Sequence, residues 1–317
     1  MSGSIRLRLP ATSANLGSGF DTAAIALCMH LEIEAAASDR FSIEATGRDG
    51  TRCSQLENNL ILETYKRVSQ DNGKSVVPLA IKMRNGIPLG MGCGSSAAGI
   101  VAAVALAVHF GDLDWSSTQI LEEACAIEGH PDNAAACWLG GFVATASEGR
   151  RVHAVRVAPP LGWRAILVLP QNPLATTEAR ALLPDRYSRA DAIANIQAAS
   201  LLGLAFAQGR PDLLGIAMKD RIHQPYRAAV CPMLPPLLTL ADTAEICGVA
   251  LSGSGPAVLV VLDREASIEH ASQRIRAALR ALPAPELLVC RFEPSGAHES
   301  FTMRNADRPQ VDVAKSV

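Results

Sequence analysis

Apolar and polar positions alternate with period two over residues 5–9, 31–35 and 41–45. Each run predicts a strand that buries one face. Residues 60–68 carry a helical pattern. Residues 76–83 read as another strand, closed by the turn dipeptide Asn85-Gly86. An apolar helix follows a glycine-rich loop, and Ser116 with Gln119 forms a capping-box signature for a helix running to about Glu128. In the second half, 150–157 and 165–169 are strand-like, and 190–207 and 211–219 helical. Strands at 249–251 and 257–262 flank a glycine-rich turn. Ile268, Ala271, Ile275, Ala278, Leu279 and Leu282 recur at helical spacing before a closing strand at 287–292. Both halves mix strands with helices, which predicts an α+β fold of two domains, 1–155 and 156–295. The polar segment 296–317 is expected to be a disordered tail.

Composition narrows the function classes. Lys plus Arg number 29 and Asp plus Glu 31 in 317 residues, a net charge of −2 without a run of five like charges. That balance argues against a general nucleic-acid binder. The longest strongly apolar stretch, 97–110, has 14 residues, short of the roughly 20 that span a bilayer. The N-terminus reads as a strand and not as the apolar core of a signal peptide. Eight scattered cysteines without a C-x-x-C pair predict no zinc, no disulfide framework and a reduced, cytoplasmic setting.

Four segments carry chemistry. The first is Pro88-Leu89-Gly90-Met91-Gly92-Cys93-Gly94-Ser95-Ser96-Ala97-Ala98. Alternating glycines let successive N–H groups converge, and the helix N-terminus behind them adds free donors and partial positive charge. Together they suit the phosphates of a nucleotide, with a serine hydroxyl available to Mg²⁺. A Cβ on Gly92 is expected to fall where phosphate lies. The segment is neither a Walker A loop nor G-x-G-x-x-G, and a plain glycine-rich turn before a core helix is the lesser alternative to the anion site. The second is the polar loop 10–21, PATSANLGSGFD, in which Asn15 and Asp21 suit a substrate ammonium or hydroxyl; a plain connection reads the same way. The third, Glu128-Gly129-His130-Pro131-Asp132-Asn133, crowds polar groups between two helices, although acidic residues and proline at a helix start are also ordinary capping. The fourth, Ser252-Gly253-Ser254-Gly255-Pro256, is a tight hairpin or a close backbone approach to a ligand.

In this order and spacing, from about Leu7 to about Leu262, the four segments resemble the GHMP kinases, small-molecule kinases named for galactokinase, homoserine kinase, mevalonate kinase and phosphomevalonate kinase. The 10–21 and 128–133 segments resemble the homoserine branch most. So do Thr176-Thr177-Glu178-Ala179-Arg180 and His223-Gln224-Pro225-Tyr226-Arg227. The resemblance implies an N-terminal nucleotide-binding domain, a C-terminal ferredoxin-like α/β sandwich and a homodimer. It also implies ATP-dependent phosphorylation of the L-homoserine side-chain hydroxyl, a step toward threonine.

By that resemblance the Gly90–Ser96 backbone and Gly253 approach ATP, and Asn59 lies near adenine. Ser96 or Ser95 and Glu128 hold Mg²⁺, with Glu122 or Glu123 as the alternative acid. Asn15, Asp21 and Asp132 face the substrate amino group and hydroxyl, beside His130. Thr176, Arg180 and Arg227 take its carboxylate, since a guanidinium fork matches a carboxylate. Mevalonate-type relatives carry an aspartate base where this chain has Asn133, so no side-chain general base is expected. The alternatives are a GHMP kinase for another alcohol, such as mevalonate, and a silent ligand sensor.

Overall fold

A computed structural model describes residues 3–305 apart from 175, 242 and 244; the side chains of 176 and 302–305 also lie outside the described set. The first elements are β1 (Ile5–Asn15), β2 (Gly19–Ala37), β3 (Ser42–Gly47), α1 (Gly50–Cys53), α2 (Leu60–Asp71), β4 (Leu79–Asn85), α3 (Ser95–Phe110), α4 (Ser117–Glu128) and α5 (Pro131–Leu139). Then come β5 (Phe142–Glu148), β6 (Arg151–Val157), β7 (Arg164–Leu169), α6 (Thr176–Ala181), α7 (Arg189–Gln208), α8 (Leu214–Ala217), α9 (Gln224–Arg227) and α10 (Leu234–Leu238). The chain closes with β8 (Gly248–Leu251), β9 (Val258–Leu262), α11 (Ile268–Ala278), β10 (Glu286–Arg291) and α12 (Ala297–Asn305).

Two sheets organise these elements. One has the order β3-β4-β2-β5-β6, with β1 paired along β2; the other has the order β10-β7-β9-β8. All pairs are antiparallel except β3–β4. Strand β7 is buried on both faces, and its side chains divide by the period of two. Ala165, Leu167 and Leu169 join the core shared with the first sheet, while Ile166 and Val168 join a second core under α10 and α11. Helix α3 is buried at every residue from Ala97 to Val108. A helix apolar on all sides must be enclosed, and its alanines let neighbours approach closely. The capping box forms as the sequence predicts: Ser116 Oγ accepts from the Gln119 N–H, and the Gln119 side chain accepts from the Ser116 N–H.

Three expectations are corrected. The segment 10–21 is not a connecting loop; most of it belongs to β1 and β2, with a tight turn at 16–18. Alternation is lost there because both faces of β1 are buried from Leu9 onward. The tail begins as helix α12 rather than as disorder. Ala297 and Phe301 are buried, Phe301 lies 5.8 Å from the Trp138 ring, and Ser300 Oγ accepts from the Arg8 N–H. Residues 306–317 lie outside the described set. Finally, α7 is 20 residues long and matches a membrane span by length and composition, longer than the 14-residue stretch at 97–110. Scattered polar residues hid it from a search for unbroken apolar runs. Its Leu202, Ala205 and Phe206 are core residues.

Candidate active site

The turn between β1 and β2 is built from residues with left-handed backbone: Asn15 at φ 71°, Leu16 at 46°, Gly17 at 81° and Asp21 at 52°. Such a run of non-glycine residues is costly and concentrates at functional sites. The Asn15 amide holds it: Oδ1 accepts from the Asp21 N–H at 3.0 Å, and Nδ2 donates to the Gly253 carbonyl at 2.8 Å. Asn15 therefore braces the turn against the second sheet as well as lining a cleft.

That cleft has a volume of about 110 Å³ and gathers Asn15, Asp21, Gly90, Gly92, Gly94, Ser95, Ser96, Glu128, His130, Asp132, Asn133, Arg180, Arg227 and Gly253. Phe20, Leu174 and Ser254 line it too. A larger cavity of about 500 Å³ shares Gly90, Ser95 and Ser96 as a wall and continues past Asn58, Asn59, Leu60, Ile61 and Ile87. Asn59 caps α2, accepting from the N–H groups of Ile61 and Leu62. The two cavities meet at a glycine loop and a helix N-terminus, whose free N–H donors suit an anion.

The loop glycines take φ values of 68°, 75° and 70° at Gly90, Gly92 and Gly94. A Cβ on Gly92 would meet the carbonyls of Ser252 and Gly255, and one on Gly94 the Thr12 hydroxyl. The glycine requirement at 92 thus arises from packing against the Ser252–Pro256 turn, a constraint that the expectation about phosphate space did not include. The two loops are tied together: Ser252 Oγ donates to the Gly92 carbonyl at 2.7 Å and the Ala257 N–H to the Met91 carbonyl at 3.2 Å. Pro88, Cys93, Ala97 and Ala98 are buried and do not line either cavity. Burial pushes the Cys93 thiol up to about 12.

Glu128 ends α4 and its Oε2 accepts from Ser96 Oγ at 3.0 Å. Burial raises the Glu128 carboxyl above the usual range, against the lowering influence of His130 and Ser96. Glu122 accepts from the Val152 N–H, and Glu123 pairs with Arg150, both on the β6 side. Among the described residues no group of three or more His, Cys, Asp or Glu could hold a metal ion. The Ser96 hydroxyl on the shared wall and the Glu128 carboxylate beside it in the smaller cleft nevertheless fit Mg²⁺, which takes few protein oxygens and completes its shell with phosphate and water.

His130 Nδ1 lies 3.2 Å from Asp132 Oδ1, and Asp132 is buried. Burial works against the imidazolium. The Asp132 and Glu128 carboxylates outweigh it and raise His130 above its ordinary value. Asp132 Oδ1 also accepts from the Asn133 N–H at 2.7 Å, and Asn133 Oδ1 accepts from Thr12 Oγ1 at 2.6 Å.

Arg180 donates to Asp21 Oδ1 at 2.6 Å. Arg227 is buried; its Nε donates to the Ala179 carbonyl at 3.3 Å and its Nη1 to the Gly253 carbonyl at 3.3 Å. Both guanidinium groups lie over the Phe20 ring, at 5.6 and 5.3 Å. Thr176 opens α6, and its side chain lies outside the described residues. Sequence reasoning missed Thr12, Phe20 and His223. The first two sit inside the 10–21 motif, and His223 is four positions before Arg227, but no local pattern announces their contacts.

Residues 59–141 match the family described as GHMP kinases N terminal domain, and residues 204–281 that described as GHMP kinases C terminal. The chain is 43% identical over 259 residues to a homoserine kinase of Solibacter usitatus, covering 81% of this chain and 85% of that one. It is 36% identical over 273 residues to a homoserine kinase of Synechocystis, covering 85% and 89%. Among solved structures it resembles the homoserine kinase of Cytophaga hutchinsonii, with a TM-score of 0.79, 27% identity, and 93% and 97% of the two chains covered. A mevalonate kinase of L. major shares the fold at a TM-score of 0.65 and 15% identity, with 92% and 97% covered.

Proposed function

The chain belongs to the GHMP kinase family, with the activity of its homoserine kinases, and on that premise we propose how its residues divide the work. The reaction joins the side-chain oxygen of L-homoserine to the γ-phosphorus of ATP and breaks the bond from that phosphorus to the β-bridging oxygen. Such transfers depend mainly on positioning and on stabilising charge.

The backbone N–H groups of Gly90–Ser96 and the start of α3 hold the β- and γ-phosphates, and the larger cavity beside Asn59 takes the adenine. Ser96 and Glu128 would hold Mg²⁺, which neutralises phosphate charge. Arg227 and Arg180, with Thr176 at the head of α6, receive the substrate carboxylate. Asp21 and Asp132 face the ammonium and hydroxyl, beside His130. The observation that carries this assignment is the single cleft in which two arginines and Asp21 face the glycine loop. Arg227, Arg180 and the Asp21 carboxylate paired with it supply both signs of charge, which suits a zwitterionic amino acid.

Transfer proceeds without a side-chain general base. Asp21 is engaged by Arg180, Asp132 by the Asn133 N–H, and His130 is shifted toward its protonated form. The hydroxyl attacks an aligned γ-phosphoryl group, and its proton leaves late, to phosphate or solvent. A loose transition state needs little prior deprotonation. A homodimer, cytoplasmic location, a role in threonine synthesis, and domains at 1–155 and 156–295 belong to the same proposal.

ADP production with Mg-ATP against L-homoserine, D-homoserine, L-serine, L-threonine and mevalonate tests the reading. Turnover with L-homoserine alone is expected; turnover with mevalonate overturns the ammonium and carboxylate assignments.

A further inference from the structure

His223 precedes Arg227 by one helical turn, and its side chain is fully buried. Its ring joins two parts of the cleft. Nε2 lies 2.9 Å from the Gly17 carbonyl in the β1–β2 turn, and Nδ1 lies 3.1 Å from Arg227 Nη1. The ring stacks on Phe20 with centroids 5.1 Å apart and an interplanar angle of 24°.

The chemistry of these contacts fixes the proton. A guanidinium has only donors, so Nδ1 must be the acceptor, and a carbonyl has only lone pairs, so Nε2 must carry the hydrogen. One neutral tautomer satisfies both contacts. In the imidazolium, Nδ1–H would point at an Arg227 N–H. The charged groups facing the ring are Arg227 on its own segment, Asp220 with Oδ2 at 3.7 Å from Nε2, and Asp21 across the turn. Burial holds the ring below its ordinary pKa, outweighing Asp220.

We propose that neutral His223 is a positioning residue for substrate recognition: it sets the Arg227 guanidinium at the angle that receives the substrate carboxylate and locks it to the turn bearing Asn15 and Asp21. The proposal rests on the carboxylate role given above to Arg227. With Nε on the Ala179 carbonyl and Nη1 shared between His223 and the Gly253 carbonyl, the guanidinium plane is set by three acceptors on separate segments. The imidazole is the one among them that a side-chain substitution can remove. A rigid ring with an acceptor at one end and a donor at the other also couples Arg227 to Gly17, so the groups for the two ends of an amino acid keep a constant separation.

Steady-state kinetics of His223→Leu, His223→Gln and Arg227→Ala, with ¹⁵N NMR of the wild-type histidines, tests this. His223→Leu is expected to raise KM for L-homoserine by about tenfold or more while KM for ATP moves by less than about twofold. His223→Gln, whose amide offers an acceptor and a donor, is expected to recover most of that loss. The NMR spectrum is expected to show His223 as the neutral Nε2–H tautomer. A protonated Nδ1 overturns the proposal even if the leucine variant fails to fold. So does an unchanged homoserine KM in His223→Leu, or a glutamine variant no better than leucine. If Arg227→Ala raises KM and His223→Leu does not, the positioning proposal alone falls. If Arg227→Ala is silent, the carboxylate clamp falls with it.

Discussion

Thr12 Oγ1 donates a 2.6 Å hydrogen bond to the side-chain oxygen of Asn133, joining β1 to the start of α5 across 121 positions of sequence. Asn133 lines the smaller cleft, and this bond occupies its oxygen with a donor. An amide so held orients its surroundings but takes no proton. Asn133→Asp is therefore expected to leave kcat unchanged or lower, because a new carboxylate would sit beside buried Asp132. A rise in kcat of about tenfold or more would show that a base at this position accelerates the reaction.

The two arginines are expected to differ. Arg227 is buried, whereas the Arg180 side chain is 37% exposed. Arg227→Ala should weaken homoserine binding by about 2–5 kcal/mol, the usual loss for a buried charged partner, which is about thirtyfold or more in KM. Arg180→Ala should cost about tenfold, since solvent screens it more strongly. Equal effects on the ATP and homoserine constants would count against both roles.

Gly92→Val should damage the fold and the nucleotide site together. Its φ of 75° is unfavourable for valine, and the new Cβ meets the Ser252 and Gly255 carbonyls. A drop in Tm of several degrees is expected, on the order of 2 kcal/mol or more, with weaker ATP binding by calorimetry. Full stability with lost ATP affinity would return the explanation to phosphate space alone.

The His130–Asp132 pair predicts a pH dependence with a definite sign. Because folding raises the His130 pKa, its contribution to stability is fully present below the ordinary histidine value of about 6.5 and is lost as pH rises through the folded value. Stability should fall with increasing pH across that window. In Asp132→Asn the His130 titration, followed by NMR, should move down, because burial remains and the adjacent carboxylate is gone. An unmoved midpoint would place the raising influence elsewhere.

Chelation should abolish turnover, and Mg²⁺ should restore it. Glu128→Gln should raise the Mg²⁺ concentration for half-maximal rate by at least about tenfold, and Ser96→Ala by less, since the carboxylate is the charged member of the pair. Glu122→Gln, whose carboxylate bonds the β6 backbone, should leave that requirement unchanged.

Much of the architecture was legible because it is local. Period two in 31–35, helical spacing in 268–279 and the Ser116–Gln119 box each follow from neighbours within one or two turns, and each forms in the structure. The glycine loop before an all-apolar helix was equally plain. The segment 10–21 and the polar tail were misread for two physical reasons. Burial on both faces of a strand erases alternation, and a polar helix such as α12 is held by a few tertiary contacts, Phe301 on Trp138 among them.

The sequence by itself determined the two α/β halves, the glycine loop and a short roster of charged residues, since those depend on residue type and spacing. Only the tertiary structure decided which of them meet. Sheet register and the seating of the Ser252–Pro256 turn against Gly92 bring Thr12 to Asn133, Ser96 to Glu128 and His223 between Gly17 and Arg227. Apart from His223 and Arg227, one helical turn apart, these pairings join elements distant in sequence, and no short window along the chain contains both partners.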